Sequence, residues 1–328
     1  MAQLPRAVAQ TRLAVRRGLA DLDPGTLVVV ACSGGPDSMA LAAATAFVGP
    51  RVGLRVGFAT VDHGLQEGSG GRAAAFAEWA RHQGFDPVEI ITVEVDPRDG
   101  GPENAARSVR YAALDDARER HDAKAVLLGH TRDDQAETVL LALARGAGPR
   151  GLAGMPERRG FLRRPFLELT RETLEKACAE QELDTWDDPH NTDPAYKRSR
   201  LRALMPQLTE VLGGGLQANL ARTASLVADD NRVLDGLAAR TTARAAGQDA
   251  SLDLSVLAGQ PRALRTRVIH AWARLLGVPG SALSYGHVRE LDRLVTDWHG
   301  QGPVQLPGYI EVRRDGGKLF AGPRALDL

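Results

Sequence analysis

Six residues between an apolar run and a helical segment constrain this chain most: Ser33-Gly34-Gly35-Pro36-Asp37-Ser38. They follow Thr26–Cys32 (TLVVVAC), continuous and β-branched, as a strand buried on both faces is. They precede an alanine-rich segment, Met39–Val48. Two glycines at a strand–helix junction let backbone N–H groups turn inward on an anion, and the helix N-terminus adds partial positive charge. Ser33 and Ser38 offer hydroxyls to phosphate oxygens, and Asp37 offers a carboxylate to a Mg²⁺ ion that bridges phosphates. No GK[ST] follows, so this is not a Walker-type loop.

The surrounding pattern fixes the fold class. Further apolar runs occur at Leu54–Val61, Val88–Val95 and Ala125–Leu128, with helical segments at Gly71–Gln83 and Asn104–Glu119 between them. Alternation of this kind predicts an α/β fold with a parallel, Rossmann-like sheet and helices on both faces. Ligands of such sheets sit at the carboxyl ends of the strands. The polar signals fall there: SGGPDS after the first run, Asp62-His63-Gly64 after the second, and GHTRDDQAET (Gly129–Thr138) after the fourth. The pattern changes after Arg145, where a Gly-, Pro- and Arg-rich stretch reads as a loop. Pro206 and Gly213–Gly215 mark the boundary, giving residues 1–208 as the catalytic domain and 209–328 as a smaller, mainly helical domain. Helices are expected at Leu216–Arg240 and Pro261–Leu276, and a terminal hairpin around Asp315-Gly316-Gly317.

Composition excludes several classes. At 328 residues two domains are expected. Lys plus Arg and Asp plus Glu both total 41, so no global basic field advertises RNA, although local patches still bind phosphates. Cys32 and Cys178 are the two cysteines, and no CxxC pair exists, which argues against a zinc knuckle or a cluster site. Two lone thiols fit a reducing cytosol, and no apolar stretch is long enough to span a membrane. The expectation is a cytoplasmic protein, with a dimer left open as its oligomeric state.

Four candidate groups surround the loop. His130 ends a strand and faces the phosphate crevice. With a helix starting near Arg132, Asp134 and Glu137 share one helix face. Helix capping competes as an explanation for Asp133 and Asp134; Glu137 lies past the first turn. Such a pair suits Mg²⁺ or a cationic amine. Arg107 and Arg110 sit three apart on a helix, either solvated or stabilising a transferring phosphoryl group. Arginines are dense over Arg145–Arg164 and Lys197–Arg202; in the second domain Arg222, Arg265, Arg267 and Arg274 meet RNA or solvent.

The SGGPDS loop resembles that of the N-type ATP pyrophosphatases, the PP-loop class that splits ATP between its α and β phosphates. Four segments carry a narrower resemblance, in matching order: VDHGLQ (Val61–Gln66), ENAARSVRY (Glu103–Tyr111), LLGHTRDDQAETVLLALARGAGPRGLAGM (Leu127–Met155), and Arg164–Leu208 with its WDDPHNTDPAYKRSRLR run. These are similar to the bacterial tRNA(Ile)-lysidine synthetases, strongly over residues 25 to 208 and weakly beyond. The resemblance implies ATP and Mg²⁺ as cofactors, and free L-lysine and tRNA(Ile) with a CAU anticodon as partners. It implies ATP contacts at Ser33, Gly34, Gly35, Pro36, Asp37, Ser38, Asp62 and His63, with Mg²⁺ on Asp37. It gives lysine to Asp134 and Glu137, catalysis to Asp37, Arg110, His130 and Glu137, and tRNA to Arg145, Arg150, Arg198 and Arg202. The sequence departs from the family pattern at Gln66 and Ser199. A tRNA thiolase of the same class, lacking its cysteine pair here, and a small-molecule amide ligase remain the rivals, with an RNA-binding module behind them.

Overall fold

The run after Thr26 forms β1 (Leu27–Ala31) in a computed structural model that describes residues 4–64, 68–93, 102–187, 193, 195–247 and 249–323. Gln66, the end of the run to Val95, and most of the DDPHNT stretch lie outside the described residues, as do the side chains of Glu103 and Asn104. Leu27 and Val29 bury into one face and Val28 and Val30 into the other. Each fully buried side chain of this size contributes roughly 1.5–3 kcal/mol, so an unbroken apolar run is what a central strand of this sheet requires.

β1 pairs in parallel with β2 (Arg55–Asp62) on one side and β4 (Ala125–Leu127) on the other. With β3 (Val88–Thr92), β5 (Arg158–Arg159) and β6 (Leu162–Arg163) the sheet order is β3-β2-β1-β4-β6-β5, parallel except for β5. The chain leaves β3 and crosses past β1 to reach β4, so a topological switch opens a crevice at the carboxyl ends of β1 and β4. Helices α1 (Arg6–Gly18), α2 (Pro36–Arg51), α3 (Ser69–His82) and, further along the chain, α7 (Arg171–Ala179) cover the face carrying Val28 and Val30. Helix α4 (Pro102–Arg120) covers the face carrying Leu27 and Val29 through Tyr111 and Leu114.

Helix α5 (Arg132–Ala144) begins after Thr131, and the short α6 (Pro149–Leu152) follows it. The Gln135 amide donates to the Met155 carbonyl at 2.9 Å and accepts from the Met155 N–H at 2.7 Å, folding the glycine-rich stretch back on α5. That stretch was expected to be loop throughout; β5 and β6 form within it, because β6 completes the edge left by β4. Helix α8 (Lys197–Leu212) runs through Pro206. A proline withholds only its own N–H from the ladder. The helix ends at Gly213, whose φ of 97° no helix can continue.

The chain divides into two compact units, Met1–Val227 and Ala228–Leu328, with α9 (Leu216–Ala245) contributing to both. The second unit contains α10 (Leu254–Ala258), α11 (Arg262–Leu275) and α12 (Tyr285–Thr296). The expected hairpin is β9 (Ile310–Asp315) with β10 (Lys318–Pro323), flanked by β8 (Val304–Leu306) and β7 (Leu252–Asp253) in the antiparallel order β7-β10-β9-β8. Trp272, Ile269, Leu291, Val312 and Leu319 form its core. Three of its arginines are engaged within the unit: Arg265 with Asp292, Arg267 with Asp235 and Asn231, and Arg274 with the Val278 carbonyl.

Candidate active site

The SGGPDS loop turns at Gly34, where φ is +85° and an added Cβ would lie 2.1 Å from the Phe76 ring. Glycine is required there on both counts. Gly35 caps α2 and Pro36 occupies its first turn, so the helix N-terminus opens on the crevice. The Ser38 hydroxyl is buried; it donates to the Gly35 carbonyl at 2.9 Å and accepts from the Ser33 N–H at 3.1 Å. Ser38 therefore shapes the loop, while exposed Ser33 is the hydroxyl available to a ligand. The loop carbonyl of Gly34 accepts from the Trp186 N–H at 2.9 Å, and Arg72 stacks 4.3 Å from the Trp186 ring. On the β4 side, a Cβ at Gly129 would meet the Asp37 carbonyl at 2.9 Å, so glycine allows β4 and α2 to close on one another.

Three carboxylates and two guanidiniums meet at this crevice. Arg171 Nε lies 3.5 Å from Asp37 Oδ2, and its Nη2 lies 3.1 Å from Asp134 Oδ1 and 4.0 Å from Glu137 Oε1. Arg202 Nε donates to Glu137 Oε1 at 2.9 Å, and its Nη2 to Asp134 Oδ1 at 3.3 Å. Glu137 is 2% exposed. Asp134 serves two purposes with separate oxygens. Its Oδ2 accepts from the Thr131 N–H at 2.8 Å and the Thr131 hydroxyl at 2.9 Å, completing a capping box, while Oδ1 faces the guanidiniums. Asp134 is thus a helix cap through Oδ2 and a partner of two guanidiniums through Oδ1. Asp133 sits outside the pair and accepts from the Arg171 N–H at 2.9 Å.

The electrostatics follow from burial. Burial pushes the Asp37 carboxyl up to about 7, with Asp134 adding to the rise and Arg171 and Arg202 opposing it. Burial works against the Asp134 charge too, yet Arg171, His130, the Thr131 N–H and Arg202 hold its pKa below the usual range. Asp37 Oδ1 is buried and has no hydrogen-bond partner. That orphaned oxygen suits one Mg²⁺ ligand, the other positions falling to waters and phosphate oxygens, as Mg²⁺ prefers. Among the described residues no cluster of three or more His, Cys, Asp or Glu forms a closed metal cage.

Beyond β4, His130 is pushed down to about 3 by burial, helped by Arg164, Arg110 and Arg107 and opposed by Asp134. It is a neutral imidazole at working pH. Burial lowers the pKa of Arg110 as well, with Arg107 and Arg198 as like-charged neighbours. Asp62 Oδ1 accepts from the Gly64 N–H at 2.9 Å, fixing the turn that follows β2, and His63 is half-buried beside it. Arg145 and Arg150 are exposed at the end of α5 and in α6, and Arg198 is half-buried in the first turn of α8. Cys32 and Cys178 are both buried, their thiols pushed up to about 11 and about 12 by burial, so neither is a nucleophile.

The PP-loop domain family matches residues 9–208, and the TilS substrate binding domain matches residues 252–320. A tRNA(Ile)-lysidine synthase from Salinispora tropica is 55% identical over 327 residues, covering 98% of each chain. The chain belongs to the tRNA(Ile)-lysidine synthase family. A second member, from Thermobifida fusca, is 55% identical over 317 residues, covering 96% of this chain and 98% of its own. The fold is also that of a U34-tRNA thiolase from Methanococcus maripaludis that carries a [4Fe-4S] cluster: TM-score 0.55, 17% identity, 67% of this chain and 80% of the thiolase.

Within the synthase family reading, the residue that sequence reasoning missed is Arg171. Its signal is local: Thr170 caps α7 and Arg171 follows at once, a cation where the helix dipole disfavours one. Carboxylates from two other helices are what compensate it. Arg202 was expected to meet RNA; the structure places its guanidinium on Glu137 and Asp134.

Proposed function

We propose that this chain ligates the ε-amine of free L-lysine to C2 of the wobble cytidine in tRNA(Ile) with a CAU anticodon, consuming ATP and releasing pyrophosphate and AMP. The family is that of an ATP-dependent tRNA-modifying ligase; lysine and the residue roles rest on one observation. Three carboxylates face two guanidiniums at the crevice, so with Asp37 ionised one negative charge stays uncompensated. With Mg²⁺ taking Asp37, an ammonium group would meet Asp134 and Glu137, the carboxylate pair on one face of α5, in exchange for Arg202.

In the first step the cytidine C2 oxygen attacks the α-phosphate and pyrophosphate leaves. The loop amides between Ser33 and Ser38, the α2 N-terminus and Arg110 would stabilise charge on the phosphates, and little covalent chemistry is asked of the protein. Mg²⁺ bound at Asp37 would neutralise phosphate charge. Asp62 and His63, at the end of β2, would meet the nucleoside end of ATP. Neutral His130 has an N–H to donate without adding positive charge beside Arg110. In the second step the lysine amine attacks C2 and AMP leaves. Attack needs a neutral amine, so Glu137 and Asp134 would hold the ammonium and accept its proton. Arg202 Nε donates to Glu137 Oε1 at 2.9 Å, a bond that an ammonium group at Glu137 would replace.

Residues 1–208 would carry this chemistry and 209–328 would add tRNA contacts, with Arg145, Arg150 and Arg198 as further contacts in the first part. No helix among the described residues is long and apolar enough to cross a membrane, and we assign the protein to the cytoplasm. The test is pyrophosphate release with ATP and tRNA(Ile) but no lysine. Release that depends on the CAU anticodon supports the reading, and release that ignores RNA points instead to a small-molecule ligase.

A further inference from the structure

Tyr111 stands on α4 among three guanidiniums. Arg107 Nη2 donates to its hydroxyl at 3.2 Å, and Arg107 and Arg110 lie 4.9 and 5.7 Å from its ring centroid. Arg164, 4% exposed just past β6, approaches the same hydroxyl. One Arg164 Nη donates to the Pro156 carbonyl at 2.9 Å, and its Nε is buried without an acceptor. Among the described residues no carboxylate pairs with Arg107, Arg110 or Arg164. A charge taken out of water needs a partner, and among the described residues these three have no carboxylate.

The phenol sharpens the point. An oxygen that accepts a guanidinium N–H still has its own O–H to donate, and Tyr111 has no acceptor for it among the described residues. Several cations and a hydroxyl donor therefore converge with no anion between them among the described residues. Two observations choose the anion. Tyr111 packs on the sheet face opposite the one covered by α2, and of its arginine neighbours only Arg110 is assigned to the ATP phosphates, which leaves Arg107 and Arg164 for a second anion. Arg198, second in the basic run that opens α8, lies near enough to Arg110 to lower its pKa.

We propose that Tyr111, Arg107 and Arg164 form a site for one phosphodiester group of the tRNA strand beside the target cytidine. The Arg107 guanidinium and the Tyr111 hydroxyl contact the phosphate, and Arg164 is a positioning residue that fixes Tyr111. This rests on the reading of tRNA as substrate.

The experiment measures the Kd of tRNA(Ile) with a CAU anticodon against salt, and the Kd of ATP without RNA. Arg107→Gln should weaken tRNA binding about tenfold and make the log–log salt slope shallower by about 0.7–0.9, the loss of one phosphate contact. Tyr111→Phe, which keeps the ring, should weaken binding severalfold with the slope unchanged. Arg164→Gln should weaken binding alone but add little on a Tyr111→Phe background. ATP affinity should not change in any of them. An unchanged slope for Arg107→Gln, or lower ATP affinity without RNA, overturns the site. Wild-type protein that does not bind this tRNA overturns the substrate reading instead.

Discussion

Glu137→Gln separates the roles open to the carboxylate pair. Glu137 is 2% exposed, bonded by Arg202 at 2.9 Å and faced by Arg171 at 4.0 Å. With the amide in place, two carboxylates would face two guanidiniums, and the charge reserved for an ammonium disappears. Losing one charged partner of a hydrogen bond costs about 1.5–3 kcal/mol, or about ten- to a hundredfold in affinity. The expected result is a lysine KM raised at least tenfold, with pyrophosphate release in the absence of lysine largely intact. Asp134→Asn should raise the lysine KM similarly and also lower thermal stability, because Asp134 Oδ2 closes the capping box on Thr131; such caps contribute about 0.5–2 kcal/mol. A defect already present in pyrophosphate release would assign the pair to Mg²⁺. A loss of stability with no change in lysine KM would leave capping as the whole role. Unchanged lysine KM in both variants refutes the pocket.

Asp37→Ala should lower ATP–pyrophosphate exchange about a hundredfold or more if the carboxylate holds the metal; near-normal exchange in a folded variant removes that role. Gly34→Ala should destabilise the first unit by about 1–3 kcal/mol in urea unfolding, because the new Cβ meets the Phe76 ring and φ is +85°; an unchanged midpoint would contradict the loop geometry. tRNA affinity should fall steeply with salt despite zero net charge; a flat dependence would count against the arginine contacts. His130, held near 3 against an ordinary 6.5, binds its proton in the unfolded chain first. Its contribution is therefore full above about 6.5 and is lost as pH falls toward 3. His130→Gln should flatten that acid limb in unfolding curves; an identical limb would show that other groups set it.

Much of this site was legible in order. The buried run before SGGPDS, the start of α5 at Arg132 and the shared face of Asp134 and Glu137 follow from periodicity and cap chemistry, which are local. Arg171 was not legible, because it lies 37 residues beyond Asp134 and only the fold brings the two together. Arg202 shows the same limit: a basic run gives its charge but not its partner. The strands β5, β6 and β7 are two residues each, below the length at which alternation carries a signal. Of the two boundary signals, Pro206 lies inside α8 and Gly213 ends that helix.

Labelled lysine offered with ATP to a panel of tRNAs tests the central claim most directly. Incorporation confined to tRNA(Ile) with a CAU anticodon, and lost when the wobble cytidine is replaced, is the predicted result. Label in no tRNA, or label that appears regardless of the anticodon, contradicts it.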